Sequence, residues 1–434
     1  MPSIRSKFSD DFVFGAATAA YQIEGSKFGG CGESIWDYFA KNGGTNNGED
    51  GAVACDHFHR FEEDLDLLVD AGFAAYRFSF SWSRLFPDGK NLNIKGLDFY
   101  KQLLDAINSR GLRPFGTAYH WDMPQALGAL GGWTIHENAE RFGEYMGFIA
   151  RNFGEDLENL VSINEPWCVA WLSHYLGEHA PGLRDLSCAA KASHFVCLGH
   201  GLGIQAARAE TKKPIGIVLN FTPGRLANKS DSNISALEQY EAITNTWYLS
   251  AITKGEYPAA ALRNLEAFLP HNWQGDMNII KDPIDFIGIN YYTTLMLEAG
   301  GQDFPFVKPV DRNLPKTDMG WEIEPSGLTD AINLVSHYAP DLPLYITENG
   351  MASSNAISDE DRIEYYRGHL NEVAKSARNL PIKGYFAWSL LDNFEWALGY
   401  KKRFGIVHVD YKTQRRTKKD SFKWWQSELV RSSP

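Results

Sequence analysis

Cysteine is scarce in this chain: Cys31, Cys55, Cys168, Cys188 and Cys197 are the only five in 434 residues. They form no C-x-x-C pair and are odd in number, which argues against a structural zinc and against a complete disulfide framework. A reducing, cytoplasmic location is therefore expected. No apolar run reaches bilayer-spanning length, and Met1 to Phe12 carry charges where a secretory leader would have an apolar core, so no membrane partner is expected. Positive charge is also in deficit. The formal net charge of -12 excludes most nucleic-acid functions, which need clustered Lys and Arg. The one basic run, Arg415-Arg416-Thr417-Lys418-Lys419, reads as a solvated loop. Linkers, solenoid repeats and low-complexity tracts are missing too, so nothing marks a domain boundary.

What is present is an average globular balance of 44% hydrophobic and 22% charged residues, with an unusual stock of rings: 13 Trp, 19 Tyr and 26 Phe. Some of these rings belong to a core. Flat apolar faces with one polar edge also suit sugar rings. Short β-like runs cover Phe12 to Thr18, Ala75 to Trp82, Arg113 to His120, Asn159 to Asn164, Ile215 to Phe221, Phe286 to Tyr292, Leu344 to Glu348 and Gly384 to Leu390. Amphipathic stretches separate them. His59 to Val69 carries Phe61, Leu65, Leu68 and Val69 on one face, and Ile94 to Ile107, Ala236 to Ile252, Gly327 to Ala339 and Glu360 to Ala377 repeat the helical period. Gly72, Gly111 and Gly154 are C-cap candidates.

Eight strand–helix alternations without a Gly-rich dinucleotide fingerprint after the first strand favour a closed barrel over a doubly wound sheet. The nearest decoy, Gly199-x-Gly201-x-Gly203, lies within a helical run and is read as close helix packing. The expected fold is α/β, a single (β/α)8 TIM barrel over residues 1–434 with extended loops at its C-terminal face.

Barrel enzymes place their chemistry at the C-terminal ends of the strands. There the chain has Tyr119-His120-Trp121, Asn164-Glu165-Pro166, Asn290-Tyr291-Tyr292, Thr347-Glu348-Asn349-Gly350 and Trp388. Carboxylates at the ends of strands four and seven would face each other across the barrel mouth. Two facing carboxylates with Trp platforms and amides are the parts needed for glycoside hydrolysis.

Five long motifs sharpen this. Phe14 to Gly25 (FGAATAAYQIEG), Tyr76 to Arg84 (YRFSFSWSR), the Asn164-Glu165-Pro166 turn, Ile346 to Gly350 (ITENG) and Trp388 to Trp396 (WSLLDNFEW) resemble glycoside hydrolase family 1, in order and from about Phe8 to Trp425. The resemblance implies a retaining β-glycosidase that releases a terminal β-D-glucosyl residue by double displacement, with β-galactosidase and β-fucosidase side activities. It implies Glu165 as acid/base and Glu348 as nucleophile, the latter supported by Arg77 and Tyr292. It further implies substrate contacts from Gln22, His120, Asn164, Asn290, Tyr292, Glu395 and Trp396, a stacking floor in Trp388, a wall in Phe404 and a leaving-group platform in Trp321. No metal or organic cofactor is implied. The expected partners are small β-glucosides or cello-oligosaccharides. Oligomeric state is left open, with a homo-oligomer possible.

Other features have plainer readings. His57-Phe58-His59 follows Asp56, an N-cap candidate, and opens a helix, so it is not read as a metal site. Cys168 has no adjacent His and reads as a small buried thiol. Trp424 and Trp425 read as packing, and Trp82 and Trp133 are left open. One alternative is a silent sugar-binding relative, disfavoured because both carboxylates are kept. Another is a 6-phosphoglycosidase, for which Lys402 is in its favour and an anionic Glu395 against it.

Overall fold

A computed structural model describes residues 3–429; residues 1–2 and 430–434, part of the range assigned to the barrel, lie outside the described residues. Eight parallel strands close into a barrel: Val13–Ala17, Ala75–Ser79, Arg113–Tyr119, Asn159–Asn164, Ile215–Phe221, Phe286–Tyr291, Leu344–Asn349 and Ile382–Trp388. Each hydrogen-bonds to its sequence neighbours among the eight, and the first also pairs with the eighth, Val13 facing Gly384 and Ala17 facing Trp388. All eight expected strands are present, two with the expected bounds and the others with ends shifted by one to three residues. Their legibility has a physical cause. Strands covered by helices outside and packed side chains inside are buried on both faces, and read as short, nearly continuous apolar runs.

The helices follow their periodicity. His57–Asp70 buries Leu65 and Leu68, and Ile94–Ser109 buries Leu103, Leu104 and Ile107. Val69, expected on the inner face, is instead 47% exposed. Gly72 and Gly111 adopt positive φ after their helices, of 83° and 68°. Gly154 does not: at φ -57° it stays right-handed and opens a 3-10 turn, its missing Cβ making room for Thr211. Gly201 lies inside Leu186–Arg208, where a Cβ would come within 2.1 Å of the Ile279 carbonyl oxygen. Helix packing is thus its role.

Three stretches depart from expectation. The run Ala236 to Ile252 is not one α-helix: Asp231–Glu241 and Trp247–Lys254 flank a π-turn at Ala242–Thr246. There Asn245 bonds the backbone N–H and carbonyl of Thr222 and the Glu241 carboxylate. The basic run is not a solvated loop either. Arg415–Lys418 is the second strand of a hairpin with Val407–Asp410, Arg416 pairs with buried Asp64 at 2.9 Å, and Lys419 is buried on Asp392 at 2.8 Å. These cations are committed inside the protein. Finally, Gly224–Leu226, Leu295–Ala299 and Val307–Pro309 form a small sheet within the loops after the fifth and sixth barrel strands. From the sequence alone only extended loops are expected there. Among the described residues, no helix is long and apolar enough to cross a membrane.

Asp56 precedes the first outer helix, but its carboxylate meets His59 at 2.6 Å instead of capping a backbone N–H. His57 points inward onto Asp64 at 2.8 Å. The two histidines thus engage different carboxylates. Trp82 stacks on Tyr145, Trp133 donates to the Tyr119 hydroxyl, and Trp424 and Trp425 pack against Tyr366, so all four are structural.

Candidate active site

Both strands that carry the expected carboxylates end irregularly. The pairing of the fourth with the fifth strand shifts between Val161 and Asn164, and that of the seventh with both neighbours shifts between Ile346 and the strand end. Such irregularities re-aim side chains at a sheet rim. Glu165 itself has φ 49°, a left-handed conformation costing a non-glycine residue about 1–2 kcal/mol. On the seventh strand, Asn349 is clamped by the Tyr291 carbonyl and by the hydroxyls of Tyr365 and Tyr385. Gly350 follows because any Cβ there would lie 1.8 Å from the Trp388 carbonyl oxygen. The backbone, and with it the direction of Glu348, is held from both sides.

Glu348 accepts 2.6 Å from Arg77 Nη1 on one oxygen and 2.7 Å from the Tyr292 hydroxyl on the other. Arg77 also donates to the Thr347 carbonyl and, at 2.7 Å, to Asn164 Oδ1. This ion pair is almost wholly buried. Removing the guanidinium would strand a buried carboxylate, at a cost of about 3–5 kcal/mol.

Among the described residues, Glu165 meets no cation directly. Its Oε1 accepts 2.7 Å from Asn290 Nδ2, and its Oε2 lies 3.1 Å from Cys168 Sγ. Burial first, and the charge of Glu348 second, push its pKa up to about 8. Asn290 was expected against the substrate. Its amide is instead committed to the protein, donating to Glu165 and Asn164 and accepting from Thr347 Oγ1 at 2.7 Å. Cys168 is buried as expected, but it is also a direct partner of Glu165, three residues away, whereas the Asn290 contact spans 125 residues and could not be read from spacing.

Around the carboxyls the remaining expected residues form a wall. The His120 ring is nearly parallel to those of Trp388 and Trp396, at separations of 5.9 and 6.0 Å. Burial and then Arg77 hold its pKa well below the usual histidine range, so the ring is neutral. Asn164 Nδ2 is 3.1 Å from His120 Nε2. With that nitrogen as acceptor, Nδ1 carries the hydrogen. His120 Nδ1 and Gln22 Oε1 are both buried and without a hydrogen-bond partner among the described residues. One free donor and one free acceptor inside a closed wall call for a polar ligand.

Gln22 Nε2 donates to Asn393 and to the Phe394 carbonyl, with Glu395 Oε2 at 3.5 Å. Burial, then Glu348 and Glu165, push Glu395 up to about 8. The neutral acid is thereby favoured over the anion expected from the sequence, because three carboxyls share one buried site. Lys402, the group that could favour a phosphate, donates to the Asp318 carbonyl. Tyr292, Trp321 and Phe404 form a separate ring cluster, with Trp321 5.4 Å from Tyr292 and 6.3 Å from Phe404. Trp121, singled out only as a strand-end residue, has φ 79° and donates to the Asn164 carbonyl at 2.9 Å.

Beta-glucosidase A of Thermotoga maritima is 42% identical over 98% of each chain, and the beta-glucosidase of an Agrobacterium species is 42% identical over 98% of this chain and 96% of its own. A bifunctional beta-D-glucosidase/beta-D-fucosidase of Bifidobacterium breve is 39% identical over 96% of this chain and 97% of its own. Among solved structures, the family 1 β-glucosidase from Thermotoga maritima superposes with a TM-score of 0.95 at 42% identity, covering 97% of each chain. The same enzyme in complex with deoxynojirimycin gives 0.94 at 42% identity, over 97% of this chain and 98% of its own. The family description "Glycosyl hydrolase family 1" matches residues 4–433. The chain belongs to glycosyl hydrolase family 1.

Proposed function

We propose that the protein is a retaining β-glucosidase acting on unphosphorylated β-D-glucosides and short cello-oligosaccharides, with β-fucosidase and β-galactosidase side activities. The observation that carries this reading is the unequal setting of the two carboxyls. Glu348 is paired with a guanidinium and a phenol, whereas Glu165 has an amide, a thiol and a pKa raised to about 8. At neutral pH one is ready to attack and the other to protonate.

In the first step the Glu348 carboxylate bonds to the anomeric carbon as the bond to the leaving oxygen breaks, and Glu165 gives that oxygen its proton. The ester that forms carries no charge, so the repulsion that helped hold the proton on Glu165 disappears. Glu165 then takes a proton from water, whose oxygen displaces Glu348 and restores the starting state. His120 donates and Gln22 accepts at the non-reducing sugar, over the Trp388 ring. Glu395 can accept from neutral hydroxyls, and also donate to them when it holds its proton. The crowding of three carboxyls, with Lys402 engaged by Asp318, disfavours a phosphate there.

All five cysteines are free thiols, which supports a reducing, cytoplasmic location. The chain is taken to work as one catalytic domain. Proton NMR of p-nitrophenyl β-glucoside hydrolysis tests the proposal. β-Glucose should appear first; the α-anomer as first product, or a higher kcat/KM for the 6-phosphate, would overturn it.

A further inference from the structure

The setting of Glu165 contains an asymmetry that the reaction scheme above does not use. Asn290 Nδ2 can only donate, so the oxygen it meets at 2.7 Å, Oε1, is an acceptor in either protonation state. The proton of the neutral acid therefore belongs on Oε2. The partner of Oε2 is the thiol of Cys168, at 3.1 Å. A thiol is both a weak donor and a weak acceptor, so it can face a carboxylic O–H and a carboxylate in turn.

Local chain geometry delivers this contact. Glu165 turns out of the fourth strand at positive φ, and Cys168 opens the π-turn Cys168–Leu172, with the Val169 N–H bonded to the Glu165 carbonyl. Single π-turns are costly in a helix and recur at functional sites. The thiol is buried, and burial with the neighbouring carboxyl raises its pKa, so it keeps its hydrogen.

Building on the acid/base reading of Glu165, we propose that Cys168 is a positioning residue that serves both protonation states of that carboxyl. In the resting enzyme the sulfur faces the O–H of Oε2. When that proton passes to the leaving oxygen, the thiol rotates its hydrogen toward Oε2 and donates to the new carboxylate. When water returns a proton to Oε2, the thiol hydrogen turns away. No bond to sulfur forms or breaks, and Cys168 neither gains nor loses a proton.

The proposal has a signed test. The alkaline limb of kcat/KM against pH, measured on an aryl β-glucoside, reports the acid/base group of the free enzyme. Cys168→Val keeps the bulk and removes both the acceptor for the neutral O–H and the donor to the carboxylate; the second is the charge-assisted, stronger bond, so the limb moves to higher pH by roughly 0.3–1 unit. Cys168→Ser offers a stronger donor and moves it to lower pH. With an activated substrate whose deglycosylation limits turnover, Cys168→Val lowers kcat by about 3–10-fold without raising KM, because the carboxylate, though more basic, is no longer held in position toward the attacking water. A residue that merely packs would move neither limb in opposite senses. Coincident limbs, or shifts in the same direction for both variants, would overturn the proposal. If Cys168→Val does not fold, Cys168→Ser against wild type decides alone: a limb at lower pH upholds the proposal, an unmoved or raised one refutes it. Azide rescue of Glu165→Ala separates the two layers. Its failure removes the acid/base reading itself, while rescue together with unmoved Cys168 limbs removes only the role of the thiol.

Discussion

The ends of the fourth and seventh strands carry the same side chain on the same kind of backbone irregularity, yet they are built to opposite effect. Glu348 sits against Arg77 and Tyr292, a permanent cation and a strong donor. Glu165 sits against Asn290 and Cys168, both neutral, and burial with the charge of Glu348 raises it to about 8. The residue type makes proton transfer or attack possible, and the neighbours decide which.

Exchanging or deleting either side should expose the contrast. The largest effect is expected for Glu348→Ala, which removes the attacking oxygen and should lower kcat by about 10^4-fold or more for every substrate. Glu165→Ala should discriminate between substrates. Cellobiose, whose leaving sugar needs protonation, should lose about 10^2–10^4-fold, and an activated aryl glucoside far less in its first step. Equal losses on both would place the acid elsewhere. Next comes Arg77→Met, which makes the setting of Glu348 resemble that of Glu165. Without its cation the buried carboxylate is left uncompensated and less firmly aimed, so kcat/KM should fall about 10–100-fold. Unchanged activity would show that the pair does not support the nucleophile.

Much of this contrast could be read along the chain, and some could not. The barrel was legible because doubly buried strands leave apolar runs, and the site because each motif lies at a strand end. The roles of Asn290 and Cys168 were hidden. Their contacts join Glu165 to the sixth strand and to a π-turn, and neither an amide nor a lone thiol declares its partner by spacing. The basic run misled for a similar reason. A cluster of cations reads as solvated until the fold supplies buried Asp64 and Asp392 as partners. The setting of Glu395 was also hidden, because it depends on burial first and then on two carboxyls far away in sequence.

The smallest expected effect concerns stability. The folded-state pKa of Glu165, about 8, lies above the unfolded value of roughly 4.3, so the folded protein holds the extra proton between those limits. Stability from this group is full below the unfolded value and is lost as pH rises through the folded one. Glu165→Gln, always neutral, should therefore raise Tm by roughly 1–3 °C at pH 8 and by less at pH 5. A gain of the same size at both pH values would show that burial of the charge is not the cause.

The division of roles between the two carboxyls is tested most directly by trapping the intermediate. The enzyme can be inactivated with a 2-deoxy-2-fluoro-β-glucoside carrying a good leaving group, digested with a protease and mapped by mass spectrometry. The account predicts one sugar per chain, attached to the peptide containing Ile346 to Gly350 and specifically to Glu348. A label on Glu165, or steady turnover of the fluorosugar with no label at all, would contradict it.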